Sequence, residues 1–341
     1  MKTVSLSPSG QSVPVAEGET VLQTLEKGGF ALPSNCRAGT CGECKVRVLE
    51  GEVDQGFVMD MSLSQEERAQ GYRLICVSQP ISDNIVIEWG AADAAPKLFP
   101  PRENVLYLVV DKIQRTPRIV ELHLMPLGEP MRFWPGQYVA IKAPNRSGQP
   151  RHYSLAKAPR PDGMLVLQIT RVDGGITSTW LHEKVIIGAT LPISGPYGAF
   201  IGDPKAETPV LCLAAGSGQA PILSLADAAL RRGYRAPVTL LFSARTADDV
   251  YAQGQLAYWT HTHRNFKSLI TLTREQRSGL LHGRIPDILP SLFPDLSAYS
   301  VFIAGSPAFS ETCLAVVKRL GARDDLLHTE KFVDQHAPAK A

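Results

Sequence analysis

Apolar and polar residues alternate in two short runs at the start of the chain, Thr3 to Ser7 and Ser12 to Val15. Pro8, Ser9 and Gly10 join them, so the pattern predicts a β-hairpin. Thr20 and Gln23 stand in capping-box spacing, Val21, Leu22 and Leu25 supply one apolar helix face, and Gly28-Gly29 stops the helix. Lys45 to Leu49 alternates like a half-buried strand, Ser64 with Glu67 caps a short polar helix ending at Gly71, and Asn84 to Glu88 predicts a further strand. Residues 1–90 therefore form a small α+β domain. Residues 91–102, from Ala91 through Pro100-Pro101, have the composition of a linker and little to bury.

From 103 to 204 the pattern changes to short β-rich runs punctuated by Pro and Gly: Leu106 to Val110, Ile119 to Leu124, Tyr138 to Ile141 and Met164 to Val172. That spacing predicts an antiparallel barrel. From 205 to 332, apolar strands at Val210 to Leu213, Val238 to Phe242, Leu269 to Thr273 and Val301 to Ala304 alternate with helical patterns, which predicts a parallel α/β sheet. Residues 333–341 are expected to be a flexible tail. The fold class is multidomain, α+β and then α/β.

Composition narrows the function more than the fold. The 341 residues exceed what one hydrophobic core serves. Thirty-five basic and 33 acidic residues leave a net charge of +2 without any long basic run, which argues against nucleic acid as partner. The first residues lack the apolar stretch of a signal peptide, and no segment approaches about 18 apolar residues, so neither export nor a membrane is expected and the cytoplasm is the default location. Four of the six cysteines crowd into the first quarter of the chain, which in a reducing compartment points to metal binding. Cys212 and Cys313 sit in apolar runs and read as small buried hydrophobes.

Four residues separate Cys36 from Cys41, two separate Cys41 from Cys44, and Cys76 follows after a long interval. This is the C-x4-C-x2-C…C spacing of a plant-type [2Fe–2S] site. A zinc knot also uses four thiolates, but its paired C-x2-C units are missing, since only Cys41 and Cys44 are so spaced. Gly39 and Gly42 let the loop bend tightly enough for amides to face the sulfurs. With Thr40, Gly42 and the strand leading to Cys76, residues 1–90 resemble the β-grasp ferredoxin family.

Further along come Arg151-His152-Tyr153-Ser154 and Gly174-Gly175-Ile176-Thr177-Ser178. In this order they resemble the R-x-Y-S and G-x-x-S motifs of the ferredoxin-NADP reductase superfamily, which hold a flavin. The resemblance implies that Arg151 and Ser178, with amides near Gly175, face the FAD pyrophosphate, that Tyr153 stacks on the flavin ring, and that Ser154 faces flavin N5.

Val210 to Ala215 leads through Gly216-Ser217-Gly218 into a helix with Pro221 near its start, a terminus that suits phosphate. Pro221 replaces the third glycine of a Rossmann fingerprint, so the segment alone also fits an ordinary strand-to-helix turn. The same superfamily has G-T-G-x-A-P here and C-G-P-P at a second turn, which Ala304-Gly305-Ser306-Pro307 resembles with alanine in place of the cysteine. The resemblance also implies that Phe332 covers the flavin and that Glu330 lies near it. Ser243-Ala244-Arg245 ends a strand without an acidic residue, so Arg245 is a candidate for a 2′-phosphate, although NADH is slightly favoured by the domain order.

Taken in sequence, the three segments resemble the reductase components of bacterial multicomponent oxygenases, including Rieske-type systems. The expected activity is transfer of hydride from NADH or NADPH to FAD and of single electrons through the cluster to a terminal oxygenase or another one-electron acceptor protein. A reductase for another acceptor, such as a deoxysugar dehydratase system, is the second reading. A zinc-bearing, non-catalytic binding or redox-sensing module is the alternative of a different class.

Overall fold

The computed structural model describes residues 1–144, 150–203 and 205–333. Of the expected tail, residues 334–341 lie outside the described residues. Contacts divide the described residues into two compact units: Met1–Pro101 with Pro196–Ala199 and Val333, and Arg102–Gly195 with Phe200–Phe332.

The first unit begins with the hairpin β1 (Thr3–Ser7) and β2 (Ser12–Pro14), followed by α1 (Val21–Lys27). Thr20 and Gln23 close both halves of the capping box, so the helix starts where the sequence places it. Then come β3 (Lys45–Glu50), the short β4 (Val53–Asp54), α2 (Gln65–Ala69) with its own Ser64/Glu67 box, β5 (Tyr72–Leu74), the short β6 (Gln79–Pro80) and β7 (Asn84–Glu88). The main sheet runs β2-β1-β7-β3-β5, parallel only between β1 and β7, while β4 and β6 pair with each other. Val4, Leu6, Leu22, Leu25, Ile85 and Ile87 form the core between sheet and α1. The segment expected as a linker packs back on this unit, for the amides of Lys97 and Leu98 both donate to Gly29 O at 2.7 and 2.8 Å.

In the second unit, β8 (Arg102–Thr116), β9 (Ile119–Pro126), β10 (Tyr138–Ile141), β11 (Arg151–Ser154), β12 (Leu165–Thr170) and β13 (Thr190–Tyr197) form a sheet ordered β11-β10-β13-β8-β9-β12, with α3 (Ile176–Glu183) between β12 and β13. A bridge between Leu155 and Leu167 brings its two edges together, so the barrel is nearly closed. Tyr107, Leu122, Val139, Leu167 and Ile193 fill its interior.

The parallel sheet of the same unit comprises β14 (Val210–Ala215), β15 (Val238–Ala244), β16 (Phe266–Leu272), β17 (Leu281–His282), β18 (Ser300–Gly305) and β19 (Leu327–Lys331). Helices α4 (Gln219–Arg231), α5 (Gln253–Thr262), α6 (Ile285–Leu292) and α7 (Pro307–Arg319) connect them. Cys212 and Ala214 belong to one core cluster and Leu211 and Leu213 to another, as expected of a strand buried on both faces. The order β17-β16-β15-β14-β18-β19 reverses between β14 and β18, and the crevice beyond the carboxyl ends of those strands is where such sheets take ligands.

Candidate redox site

The cysteine loop has no regular structure, and three residues in it have positive φ: Arg37 at 53°, Gly39 at 71° and Gly42 at 74°. Arg37 is held by a bidentate ion pair to the buried Glu26 in the last turn of α1, at 2.6 and 2.7 Å. The backbone of residues 57–62 lies against the other side of the loop. Met59 N donates to Gly39 O at 3.2 Å and Ser62 Oγ to Thr40 O at 2.5 Å, while a Cβ on Gly39 would come within 2.5 Å of Phe57 O.

Held in this way, the amides of Ala38 and Thr40 donate to Cys36 Sγ at 3.5 and 3.4 Å. Cys36, Cys44 and Cys76 are buried and Cys41 is partly open. Thiol hydrogen bonds link them in the order Cys41, Cys36, Cys76, Cys44, holding Cys36 and Cys44 below the usual thiol range and pushing Cys41 and Cys76 above it. Four soft donors in mutual contact suit a cluster that shares them between two irons. By contrast, burial pushes the Cys212 and Cys313 thiols to about 12, in keeping with inert core positions.

On β11 the side chains alternate, so Arg151 and Tyr153 share one face and His152 and Ser154 the other. Pairing with β10 sets Ser154 opposite Tyr138 and His152 opposite Ala140. Tyr153 is half-buried against the barrel core, and desolvation pushes its hydroxyl above the usual range. Arg151 bonds the carbonyl of Pro150 at 3.3 Å and stays within reach of solvent. The Gly174-Gly175 segment opens α3, with Gly175 as its N-cap. Ser178 Oγ accepts from Val172 N at 3.2 Å and would lie 2.6 Å from a Cβ on Gly175, so this hydroxyl shapes the turn that presents the helix N-terminus.

At the switch point, β14 passes through one 3-10 turn, Gly216–Gly218, into α4, where Pro221 is buried in the first turn. Gly216 has φ +56° and its carbonyl accepts from Tyr251 Oη at 3.0 Å. Ser217 is partly exposed. A Cβ on Gly218 would stand 2.1 Å from Ala304 O, so the two glycine turns touch backbone to backbone. Beyond Ala304, Gly305 O accepts from Phe332 N at 2.7 Å, and Ser306 caps α7.

The strand β19 pairs with β18 so that Glu330 lies beside Ala304. From there Glu330 accepts a hydrogen bond from Ser154 Oγ at 3.2 Å. Protein surrounds its carboxyl and leaves the residue only partly open to water, and this burial pushes it up to about 8 against the lowering effect of Ser154. Arg245, at the end of β15, is half-exposed and pairs with Asp249 at 3.3 Å. Sequence reasoning missed Asp249, although Thr246 and Asp249 have capping-box spacing and form that box.

The chain matches the 2Fe-2S iron-sulfur cluster binding domain over residues 4–80, the oxidoreductase FAD-binding domain over 109–201 and the oxidoreductase NAD-binding domain over 212–314. It is 35% identical over 335 residues to the reductase subunit of an aromatic O-demethylase from an Amycolatopsis species, covering 97% of this chain and 98% of that one. It is 29% identical to the ferredoxin–NAD(P)+ reductase component of a naphthalene 1,2-dioxygenase system from Pseudomonas putida, covering 96% and 97%. A crystal structure of an Amycolatopsis cytochrome P450 reductase superposes with a TM-score of 0.87 at 32% identity, covering 97% of this chain and 99% of that one. The cofactors are therefore a [2Fe–2S] cluster, FAD and NAD(P)H, and no described helix is long and apolar enough to cross a membrane. The chain belongs to the family of iron–sulfur flavoprotein reductases that form the reductase components of multicomponent oxygenase systems.

Proposed function

We propose that residues 1–90 carry the cluster on Cys36, Cys41, Cys44 and Cys76, with the amides of Ala38 and Thr40 offsetting charge on the Cys36 sulfur. Residues 103–204 bind FAD through Arg151, Tyr153, Ser154, Gly175 and Ser178, the pyrophosphate lying at the N-terminus of α3. Residues 205–332 bind the nicotinamide nucleotide through Gly216, Ser217, Gly218, Pro221, Arg245 and Gly305, with residues 91–102 as connection and 333–341 as tail.

The observation that carries this reading is the hydrogen bond from Ser154 to Glu330, which brings the flavin strand to the strand beside Ala304. With cofactors bound, the protein has a hydride donor, a carrier that takes two electrons and yields them singly, and a one-electron exit. Ser154 orients the reacting edge of the flavin, Glu330 accepts from Ser154 at Oε2 and holds a proton at Oε1 beside it, and Phe332, anchored through its backbone to Gly305, limits water. The ion pair between Arg245 and Asp249 leaves the guanidinium occupied and favours NADH over NADPH.

The acceptor is an oxygenase component in the cytoplasm, where thiols stay reduced. A cytochrome P450 that O-demethylates aromatic compounds is the first to test, because the O-demethylase reductase subunit and the cytochrome P450 reductase are both similar over nearly the full length. Cys41→Ser should abolish NADH-dependent reduction of cytochrome c while NADH-to-ferricyanide activity at the flavin persists. Equal loss of both activities with FAD still bound would contradict the path. Reduction of the purified haem partner, seen as its carbon monoxide complex, tests the acceptor.

A further inference from the structure

The electron exit needs a surface on which an acceptor can sit. The segment that bonds to the cysteine loop through the Met59 amide and the Ser62 hydroxyl also displays Phe57 and Met61 to solvent, 75% and 81% exposed. Apart from Met1, these are the most exposed large apolar side chains among the described residues. They are set close to the one partly open cluster cysteine, Cys41, by the same contacts that shape the loop. Two neighbouring apolar side chains left in water next to a redox centre suit a recognition surface better than a core.

Charge indicates what the surface would meet. Residues 50–67 contain six acidic and no basic residues, and all six except Glu67 are exposed. Residues 1–90 hold 12 acidic and seven basic residues, whereas the rest of the chain holds 21 acidic and 28 basic. The acidic character is thus local to the cluster-bearing unit, in a protein of net charge +2.

We propose that Phe57 and Met61, with the exposed Asp54, Asp60 and Glu66 near them in the sequence, are the docking surface for the electron-accepting protein, whose own docking face is apolar at its centre and basic at its rim. This rests on the reductase reading. Apolar contact sets the lifetime of the complex, and the opposite charges set the rate of encounter.

The test uses the full-length holoprotein with cytochrome c, a basic one-electron acceptor protein, as probe. F57S/M61S should raise KM for cytochrome c about tenfold, the loss of one hot-spot contact, with kcat and the ferricyanide rate unchanged. D54N/D60N should raise KM at low salt and flatten its dependence on ionic strength. A KM within about twofold of the wild type for both variants, on the scale where tenfold is one contact, overturns the proposal. So does concentration-dependent dimerisation that the same substitutions abolish, because the surface would then belong to a second copy. Failure of the unsubstituted protein to reduce ferricyanide with NADH would instead count against the reductase reading itself.

Discussion

Ser154 Oγ donates a 3.2 Å hydrogen bond to Oε2 of Glu330, a residue 176 positions further along the chain. One partner ends a barrel strand and the other lies in the last strand of the parallel sheet, beside Ala304. Ala304 brings no polar side chain to this point, and the Ser154–Glu330 pair supplies polar groups there.

The pair should make the enzyme pH-dependent near 8. Burial raises the Glu330 carboxyl from its ordinary 4.5 to about 8, so the folded protein keeps this proton through neutral pH and loses it as pH rises through 8. Flavin reduction by NADH, followed by stopped-flow absorbance, should be level below pH 7 and fall through pH 8, and Glu330→Gln should flatten that profile. Stability has the same sign: the group's contribution is complete below pH 4.5 and is lost as pH rises to 8. Denaturant titrations of wild type and Glu330→Gln across that window check it, and a pH-independent difference between the two would remove Glu330 from this role.

The cysteine loop should depend on Glu26. Its carboxylate is buried and grips Arg37 with two charge-assisted hydrogen bonds, and Arg37 follows Cys36 in a backbone conformation that few side chains favour. Removing one member of a buried pair costs about 3–5 kcal/mol. Glu26→Gln should therefore lower the iron content of the purified protein and its reduction of cytochrome c, with flavin content and ferricyanide activity kept. Full iron occupancy in the variant would show that the pair is dispensable.

The parts of this architecture that local chemistry dictates were legible in the sequence. Both capping boxes, the hairpin at Thr3 and the buried strand at Val210 follow from periodicity and side-chain hydrogen bonding within a few residues. No local pattern predicts the strand at Leu327, because its half-buried residues show no alternation and its place is set by pairing with β18. Likewise Arg151–Ser154 stood out as a motif but not as a strand, since four residues carry too short a pattern. The meeting of Ser154 with Glu330, and of Arg245 with Asp249, depends on tertiary structure that no local signal encodes.

Gly218 should tolerate no side chain. The atoms that a Cβ would strike, at 2.1 to 2.8 Å, are the backbone of Ala304 and Gly305 in the neighbouring strand, which cannot rotate aside. Gly218→Ala should cost about 1–3 kcal/mol in urea unfolding and raise KM for NADH with FAD still bound. Gly254→Ala is the control: it lies in α5 with nothing within 4 Å of a new Cβ and should be neutral or gain up to about 1 kcal/mol. Equal effects of the two substitutions would mean that helix propensity, and not the contact between the turns, decides.

Nucleotide preference should turn on the pair at the end of β15. The carboxylate of Asp249 sits 3.3 Å from Arg245 Nε and also accepts from Thr246, so it is fixed in place by its own cap. A 2′-phosphate would have to displace it from the guanidinium and would meet its negative charge, whereas a 2′-hydroxyl meets neither obstacle. Asp249→Asn should raise kcat/KM for NADPH about tenfold, the scale of one charge-assisted contact, and change that for NADH little. Arg245→Ala should weaken NADPH use more than NADH use, and in the double variant the gain from Asp249→Asn should vanish because the group it releases is gone. Steady-state kinetics with both nucleotides on the four proteins measures this coupling. Additive effects would mean that the two residues act on the nucleotide independently, and unchanged values throughout would place the 2′-position elsewhere.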